Sequence, residues 1–302
     1  MPTLAAAKAA NAAVNLPYSV ALFVGATSGI GQATAKVFAD SVKGNAHIII
    51  CARNEEAANS LIASFPKNPN AKYEFLQCDV SRMANVTQAC KTLKEERGLT
   101  KLNYLFMSPG FLGSMFGKFT DNGEGVDRKF AVHFYSRFKF FNELAPLMQR
   151  AKDEGEEARV ISVYGSAQGG KADLSDLGLF KTYSVPKLGL QGPTYSDLIV
   201  EELAVKNPTL SFIHAYPGVV KTSISTSGPL PLRMLGKVLG PFMTDPADCG
   251  EWMARTIFDP AMARGAFHVD NHGDLYPPNK VPLSAEGQKA VYDHFMEIAS
   301  KY

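Results

Sequence analysis

Val20-Ala21-Leu22-Phe23-Val24 runs directly into Gly25-Ala26-Thr27-Ser28-Gly29-Ile30-Gly31, and Gln32-Ala33-Thr34-Ala35-Lys36-Val37-Phe38 follows. An apolar strand ends, a loop with three glycines intervenes, and an amphipathic helix begins. Gly25 permits the tight turn, Gly29 lets backbone approach a pyrophosphate, and Gly31 lets the helix pack closely on the strand. The N–H groups at the start of the helix have no partners within it, and they face phosphate charge favourably. Thr27, Ser28 and Ile30 belong to the same loop and are expected beside the phosphates.

Outward from this stretch, apolar β-branched runs alternate with longer amphipathic segments, the pattern of βαβ units around a parallel sheet. Strands are predicted at Val20–Val24, Ala46–Cys51, Tyr73–Cys78, Leu102–Met107, Arg159–Val163, Leu210–Ala215 and Ala266–Val269. Helices are predicted at about 29–41, 54–65, 81–97, 124–150, 183–206, 246–258 and 284–300. The expected fold is therefore α/β, a Rossmann-type doubly wound, seven-stranded and mostly parallel sheet with helices on both faces. Although 302 residues would accommodate two domains, the pattern continues along the chain. It reads as an N-terminal extension (1–17) and a single domain (18–302), with a Gly/Pro-rich apolar insertion at about 223–245 as a substrate lid.

Lys+Arg 31 against Asp+Glu 29 leaves a net charge of +2, too little to suggest a nucleic-acid partner. No run is long and apolar enough to span a bilayer. Four cysteines without a CxxC pair suggest reduced, buried thiols and a cytoplasmic protein. In the predicted helix 124–150, Phe130, Phe134, Phe138, Phe141 and Met148 share one stripe, while Tyr135, Phe140 and Leu147 fall outside it. Such excess apolar surface is either covered by neighbouring elements or forms a homodimer or homotetramer interface.

Two further motifs extend the glycine loop. Tyr183-Ser-Val-Pro-Lys187 places a phenol and an ammonium four residues apart; on a helix these share a face, and the cation would lower the phenol pKa towards working pH. Pro186 requires that helix to begin near Tyr183, and Pro193 is expected to kink it. With Gly25-x-x-x-Gly29-x-Gly31, this sequence resembles the short-chain dehydrogenase/reductase family over roughly residues 18–275. The resemblance implies that Tyr183 is the general acid/base and that Lys187 also binds the nicotinamide ribose. It further implies that Asp79-Val80 meets the adenine, that Gly110 follows the fourth strand beside the cofactor, and that Pro217, Gly218, Val219 and Thr222 flank the carboxamide.

The second strand ends in Cys51-Ala52-Arg53. An NAD site favours an acidic residue here for the ribose 2′-hydroxyl; Ala52 offers none, and Arg53 suits a 2′-phosphate, so NADP(H) is preferred over NAD(H). The family's catalytic Ser follows the fifth strand, and here the run is Ser162-Val-Tyr164-Gly165-Ser166-Ala-Gln-Gly169. Counting from the strand puts Gly165 in that place, whereas aligning the downstream Ala-x-Gly puts Ser166 there; Ser166 is taken as the group that polarises a substrate carbonyl. The family's relay Asn is replaced by His133, either a proton relay or a core His. No metal is expected, the His268-x-Asp270-x-His272 spacing lacking a completing ligand. The function expected is reversible alcohol/carbonyl hydride transfer, reducing a ketone or aldehyde on a bulky lipophilic small molecule. The alternative is a catalytically weak or inactive NADP(H)-binding sensor or scaffold.

Overall fold

Six of the seven strands carry runs that are wholly or mainly apolar, as strands covered on both faces must be. In the computed structural model, which describes residues 2–111, 114, 116–221 and 243–302, they are β1 (Ser19–Val24), β2 (Ala46–Ala52), β3 (Lys72–Gln77), β4 (Tyr104–Met107), β5 (Arg159–Val163), β6 (Ser211–Ala215) and β7 (Gly265–Val269). β3 is the exception: it lies at a sheet edge and shows a mixed, half-exposed pattern. The order is β3-β2-β1-β4-β5-β6-β7, and every neighbouring pair is parallel. Chain order reverses between β1 and β4, which opens a crevice at their carboxyl ends, the place where doubly wound sheets bind ligands.

Helices cover both faces. α1 (Leu4–Ala12), α2 (Gly29–Ser41) and α3 (Glu55–Ala63) lie on one side. α4 (Met83–Lys91), α5 (Arg128–Phe130), α6 (Ser136–Asp153) and α7 (Val185–Lys206) lie on the other; α8 (Pro246–Phe258) returns to the first and α9 (Ala285–Ala299) to the second. The 29–41 and 246–258 expectations match α2 and α8 residue for residue, because Gly29 and the Asp245-Pro246 cap mark their starts. The expected helix 124–150 instead begins at Arg128 and passes through a π-helical turn, Ala131–Tyr135, before α6. α7 continues across Pro193; the Gly189 carbonyl that this proline leaves without a donor lies on an exposed residue, where water can reach it.

The N-terminal extension is helical over Leu4–Ala12. α1 packs against α8, with Ala7 buried, Lys8 2.9 Å from Asp248, and Asn11 bonded to the Glu251 carbonyl and carboxylate. The aromatic stripe is covered within the chain: Phe130, Phe134, Phe138, Phe141 and Met148 are all buried, as are Tyr135 and Phe140. α9 lays Phe295 edge-on against Phe134 and Phe138, and His294 meets the Tyr135 hydroxyl at 2.7 Å. Of the two alternatives for this stripe, cover by neighbouring elements is the one observed, with α9 lying over this face. The expected lid at 223–245 lies outside the described residues except for 243–245. Its flanks are joined: the Lys221 N–H donates to the Thr244 carbonyl and the Thr244 N–H to Val219. Among the described residues no helix is long and apolar enough to cross a membrane, and all four cysteines are free and buried.

Candidate active site

The glycine loop lies at the switch point. Gly25 has φ +78°, and its N–H donates to Cys51 at 2.9 Å; a Cβ there would stand 2.7 Å from Pro109 backbone. A Cβ on Gly31 would stand 2.6 Å from the Gly25 carbonyl, so α2 could not approach β1 with any other residue. Ser28 is the N-cap of α2 but provides no side-chain cap, which leaves first-turn N–H groups available to an anion. Thr27 and Ile30 are half-buried around this turn. Arg53 is exposed just beyond the β2 carbonyl that receives the Gly25 N–H, and among the described residues it forms no ion pair. Asp79 accepts from the Ser81 N–H at 3.0 Å, which shapes the turn beside Val80. Pro217 and Gly218 follow β6 half-buried, Val219 is exposed, and Thr222 lies outside the described residues. These residues fit a dinucleotide: a backbone cradle closed to side chains, uncapped helical N–H groups and a free guanidinium. Such a cofactor would supply the hydride.

Tyr183 and Lys187 do not lie side by side on a helix. Ser184, with extended backbone, is the N-cap of α7, so Tyr183 precedes the helix and Lys187 sits in its first turn. Lys187 Nζ pairs with Asp173 at 2.8 Å and donates to the Thr182 hydroxyl. That ion pair holds the Asp173 carboxyl down at about 2. The Tyr183 ring meets Phe119 edge-on at 5.6 Å, and its hydroxyl is enclosed without a hydrogen-bond partner among the described residues. Burial, and then the Asp127 carboxylate, push this phenol up, the reverse of the lowering expected from Lys187. Tyr183 therefore keeps its proton at neutral pH, the state a proton donor needs. It lines a cavity of about 540 Å³ with Phe116, Phe119, Phe180, Val185 and Pro186, and Lys118 and Lys181 are also among the lining residues.

Ser166 faces elsewhere. It is fully buried, and its hydroxyl donates to Asp197 at 3.3 Å, with His268 Nδ1 at 3.4 Å. Asp197 on α7 also accepts from the Ala167 N–H and meets His214 Nδ1 at 2.6 Å. Ala167 adopts φ +59°, and the loop is drawn inward. The hydroxyl expected to polarise a substrate carbonyl is buried here and is held by Asp197 beneath the loop. Asp197, His214 and His268 bring three metal-ligating atoms together, a grouping that sequence spacing concealed because each comes from a different element. A metal does not suit them. His214 Nε2 accepts the Gly165 N–H at 3.2 Å, so its proton is on Nδ1, directed at Asp197.

His133 occupies the π-helical turn, where the widened helix brings it to the crevice. Its Nε2 lies 3.1 Å from the Phe111 carbonyl, its ring stacks on Tyr164 at 4.9 Å, and its enclosed Nδ1 has no partner among the described residues. Burial, with Arg137 adding to it, lowers its pKa to about 4, so the ring is neutral at pH 7. Gly110 abuts this ring. Sequence reading missed Tyr164, Arg137 and Asp173, which belong to no recognisable motif.

Fold, glycine cradle and crevice define a nucleotide-binding protein of the Rossmann class. The chain belongs to the short-chain dehydrogenase family, whose model, described as "short chain dehydrogenase", matches residues 19–229. It is 36% identical over 290 residues to Oxidoreductase AN1596 of Emericella nidulans, covering 94% of this chain and 83% of that one. Its fold resembles 3-ketoacyl-(acyl-carrier-protein) reductase from Brucella melitensis complexed with NADH (TM-score 0.61, 20% identity, 85% of this chain and 98% of that one). It also resembles the Pseudomonas aeruginosa RhlG/NADP complex (TM-score 0.62, 18% identity, 86% and 97%). The protein is an oxidoreductase of short-chain dehydrogenase type with a nicotinamide-cofactor fold.

Proposed function

We propose that this chain uses NADP(H) to reduce a ketone or aldehyde on a bulky lipophilic small molecule. The observation that carries the reading is Tyr183, which lines a cavity of about 540 Å³ and whose enclosed hydroxyl has no hydrogen-bond partner among the described residues. Arg53 supports the cofactor preference: it stands exposed past β2 with no acidic residue at the ribose position, and so is available to a 2′-phosphate. Hydride would pass to the carbonyl carbon while Tyr183 gives its proton to the oxygen. His133, neutral and with a free ring nitrogen, suits a relay that reprotonates Tyr183. A cytoplasmic location accords with the four buried thiols.

The test is calorimetric binding of NADPH and NADH, followed by turnover of a panel of lipophilic ketones and aldehydes with NADPH deuterated at C4. NADPH bound at least tenfold more tightly than NADH, with deuterium delivered to product, is expected. NADH bound equally well would refute the cofactor assignment, and absence of deuterated product across the panel would refute the reductase reading. A second reading, a cofactor-binding sensor without efficient turnover, draws on the withdrawal of Ser166 to Asp197 and of Lys187 to Asp173.

A further inference from the structure

Arg137 on α6 is 1% exposed, yet no carboxylate pairs with it among the described residues. Nη1 donates to the Met107 carbonyl at 3.3 Å, the Ser162 hydroxyl at 3.0 Å and the Val163 carbonyl at 2.7 Å; Nη2 donates to the Pro109 carbonyl at 2.6 Å. The Tyr164 ring lies 5.3 Å from the guanidinium carbon. Other buried cations of this chain do have counter-charges: Arg159 with Glu157 at 3.4 Å, and Lys139 with Glu143 at 3.0 Å. A buried charge left without one is costly, and neutral carbonyl dipoles offset only part of that cost. Burial lowers the Arg137 pKa only to about 10, so the cation persists at neutral pH. All four acceptors lie at the carboxyl ends of β4 and β5 or just past them, so this net positive charge sits under the floor of the crevice.

We propose that Arg137 biases the bound nicotinamide cofactor towards its reduced form, acting as an electrostatic positioning residue beneath the crevice floor. The inference rests on the NADP(H) reading above. NADPH and NADP⁺ carry the same phosphates and differ by one positive charge on the ring. A fixed cation without a counter-ion in a low-dielectric floor therefore disfavours the oxidised ring and leaves the uncharged dihydronicotinamide unaffected. A chain built this way holds its cofactor ready to reduce, and releases it more readily once oxidised.

The test compares dissociation constants for NADPH and NADP⁺, by calorimetry, in wild type, Arg137→Met, Arg137→Lys and Ser162→Asp. The last variant supplies a carboxylate beside Nη1 while keeping the guanidinium, so it serves where Arg137→Met fails to fold. Wild type is expected to favour NADPH, and the preference to fall about tenfold in Arg137→Met and in Ser162→Asp. That fall is a shift of about 30 mV in the bound two-electron couple. Arg137→Lys, which retains the charge, should retain the preference. A preference within twofold of wild type in folded Arg137→Met or Ser162→Asp overturns the inference and leaves the cofactor assignment standing. A wild-type chain that binds neither form overturns both, which separates the two failures.

Discussion

His268 presents Nδ1 to Asp197 at 3.0 Å and Nε2 to Glu201 at 2.8 Å, so its ring is clasped between two carboxylates one turn apart on α7. Burial alone would lower its pKa; the two carboxylates outweigh burial and raise it to about 9. The same Asp197 holds His214, Ser166 and the Ala167 N–H, so one buried carboxylate fixes the loop after β5 to α7, β6 and β7. The path of that loop, and with it the fate of Ser166, follows from this knot.

Stability should depend on it in a defined pH window. An unfolded His titrates near 6.5. A group raised to about 9 in the fold contributes fully below 6.5, and its contribution disappears as pH rises through 9. Urea denaturation is therefore expected to show falling stability between pH 7 and 9. His268→Gln should flatten that fall and cost about 2 kcal/mol near pH 6. A wild-type midpoint that stays constant from pH 7 to 9 would contradict the clasp.

The exposed guanidinium after β2 makes a prediction about affinity. Arg53→Ala removes the group assigned to the 2′-phosphate, and charged hydrogen bonds of this kind are worth roughly 1.5–3 kcal/mol. NADPH binding should weaken about 10- to 100-fold with NADH binding unchanged, measured by calorimetry. Equal losses for both cofactors would mean that Arg53 acts on the fold and not on the phosphate.

α9 is expected to act as the cover of an aromatic face. Phe295 is buried and meets both Phe134 and Phe138 edge-on. Phe295→Ala should cost about 3–5 kcal/mol by thermal or chemical denaturation. Removing residues 284–302 should expose Phe134 and Phe138 and drive self-association, visible by light scattering. A truncated chain that stays monomeric with unchanged stability would show that α9 is dispensable to this face.

Legibility in the sequence divides along a physical line. The glycine loop, the seven strands and the α2 and α8 boundaries follow from local rules: apolar runs, glycines where side chains cannot fit, and caps such as Asp245 before Pro246. Residues matched by contiguous motifs were found where those rules operate. The Lys187–Asp173 pair and the Asp197 knot were not legible, because each joins residues from separate elements and no spacing reveals them. The start of α7 shows what a small displacement costs: the helix begins at Val185 behind the Ser184 cap, two residues past the expected 183, so Tyr183 and Lys187 do not share a helical face. The aromatic stripe was read correctly as excess, but its cover lies at the far end of the chain.

Tyr183 carries the chemistry proposed, and its surroundings fix how it should behave. Tyr183→Phe is expected to lower kcat/KM for carbonyl reduction by about 10²–10⁴-fold while NADPH binding is unchanged. Burial and Asp127 raise the phenol pKa, so it stays protonated past the ordinary phenol range near 10. Reduction should therefore hold its rate on the alkaline side to at least about pH 10 as far as this group decides it. Asp173→Asn frees Lys187 from its ion pair, and an ammonium released to reach the phenol favours phenolate. In that variant the alkaline fall should move to lower pH, read from the pH profile of kcat/KM. Ser166→Ala, by contrast, removes a hydroxyl committed to Asp197, and should cost about 1 kcal/mol of stability with turnover within a few-fold of wild type. A Tyr183→Phe enzyme within threefold of wild type, or a Ser166→Ala enzyme as impaired as that expected for Tyr183→Phe, would exchange the roles assigned to these two hydroxyls.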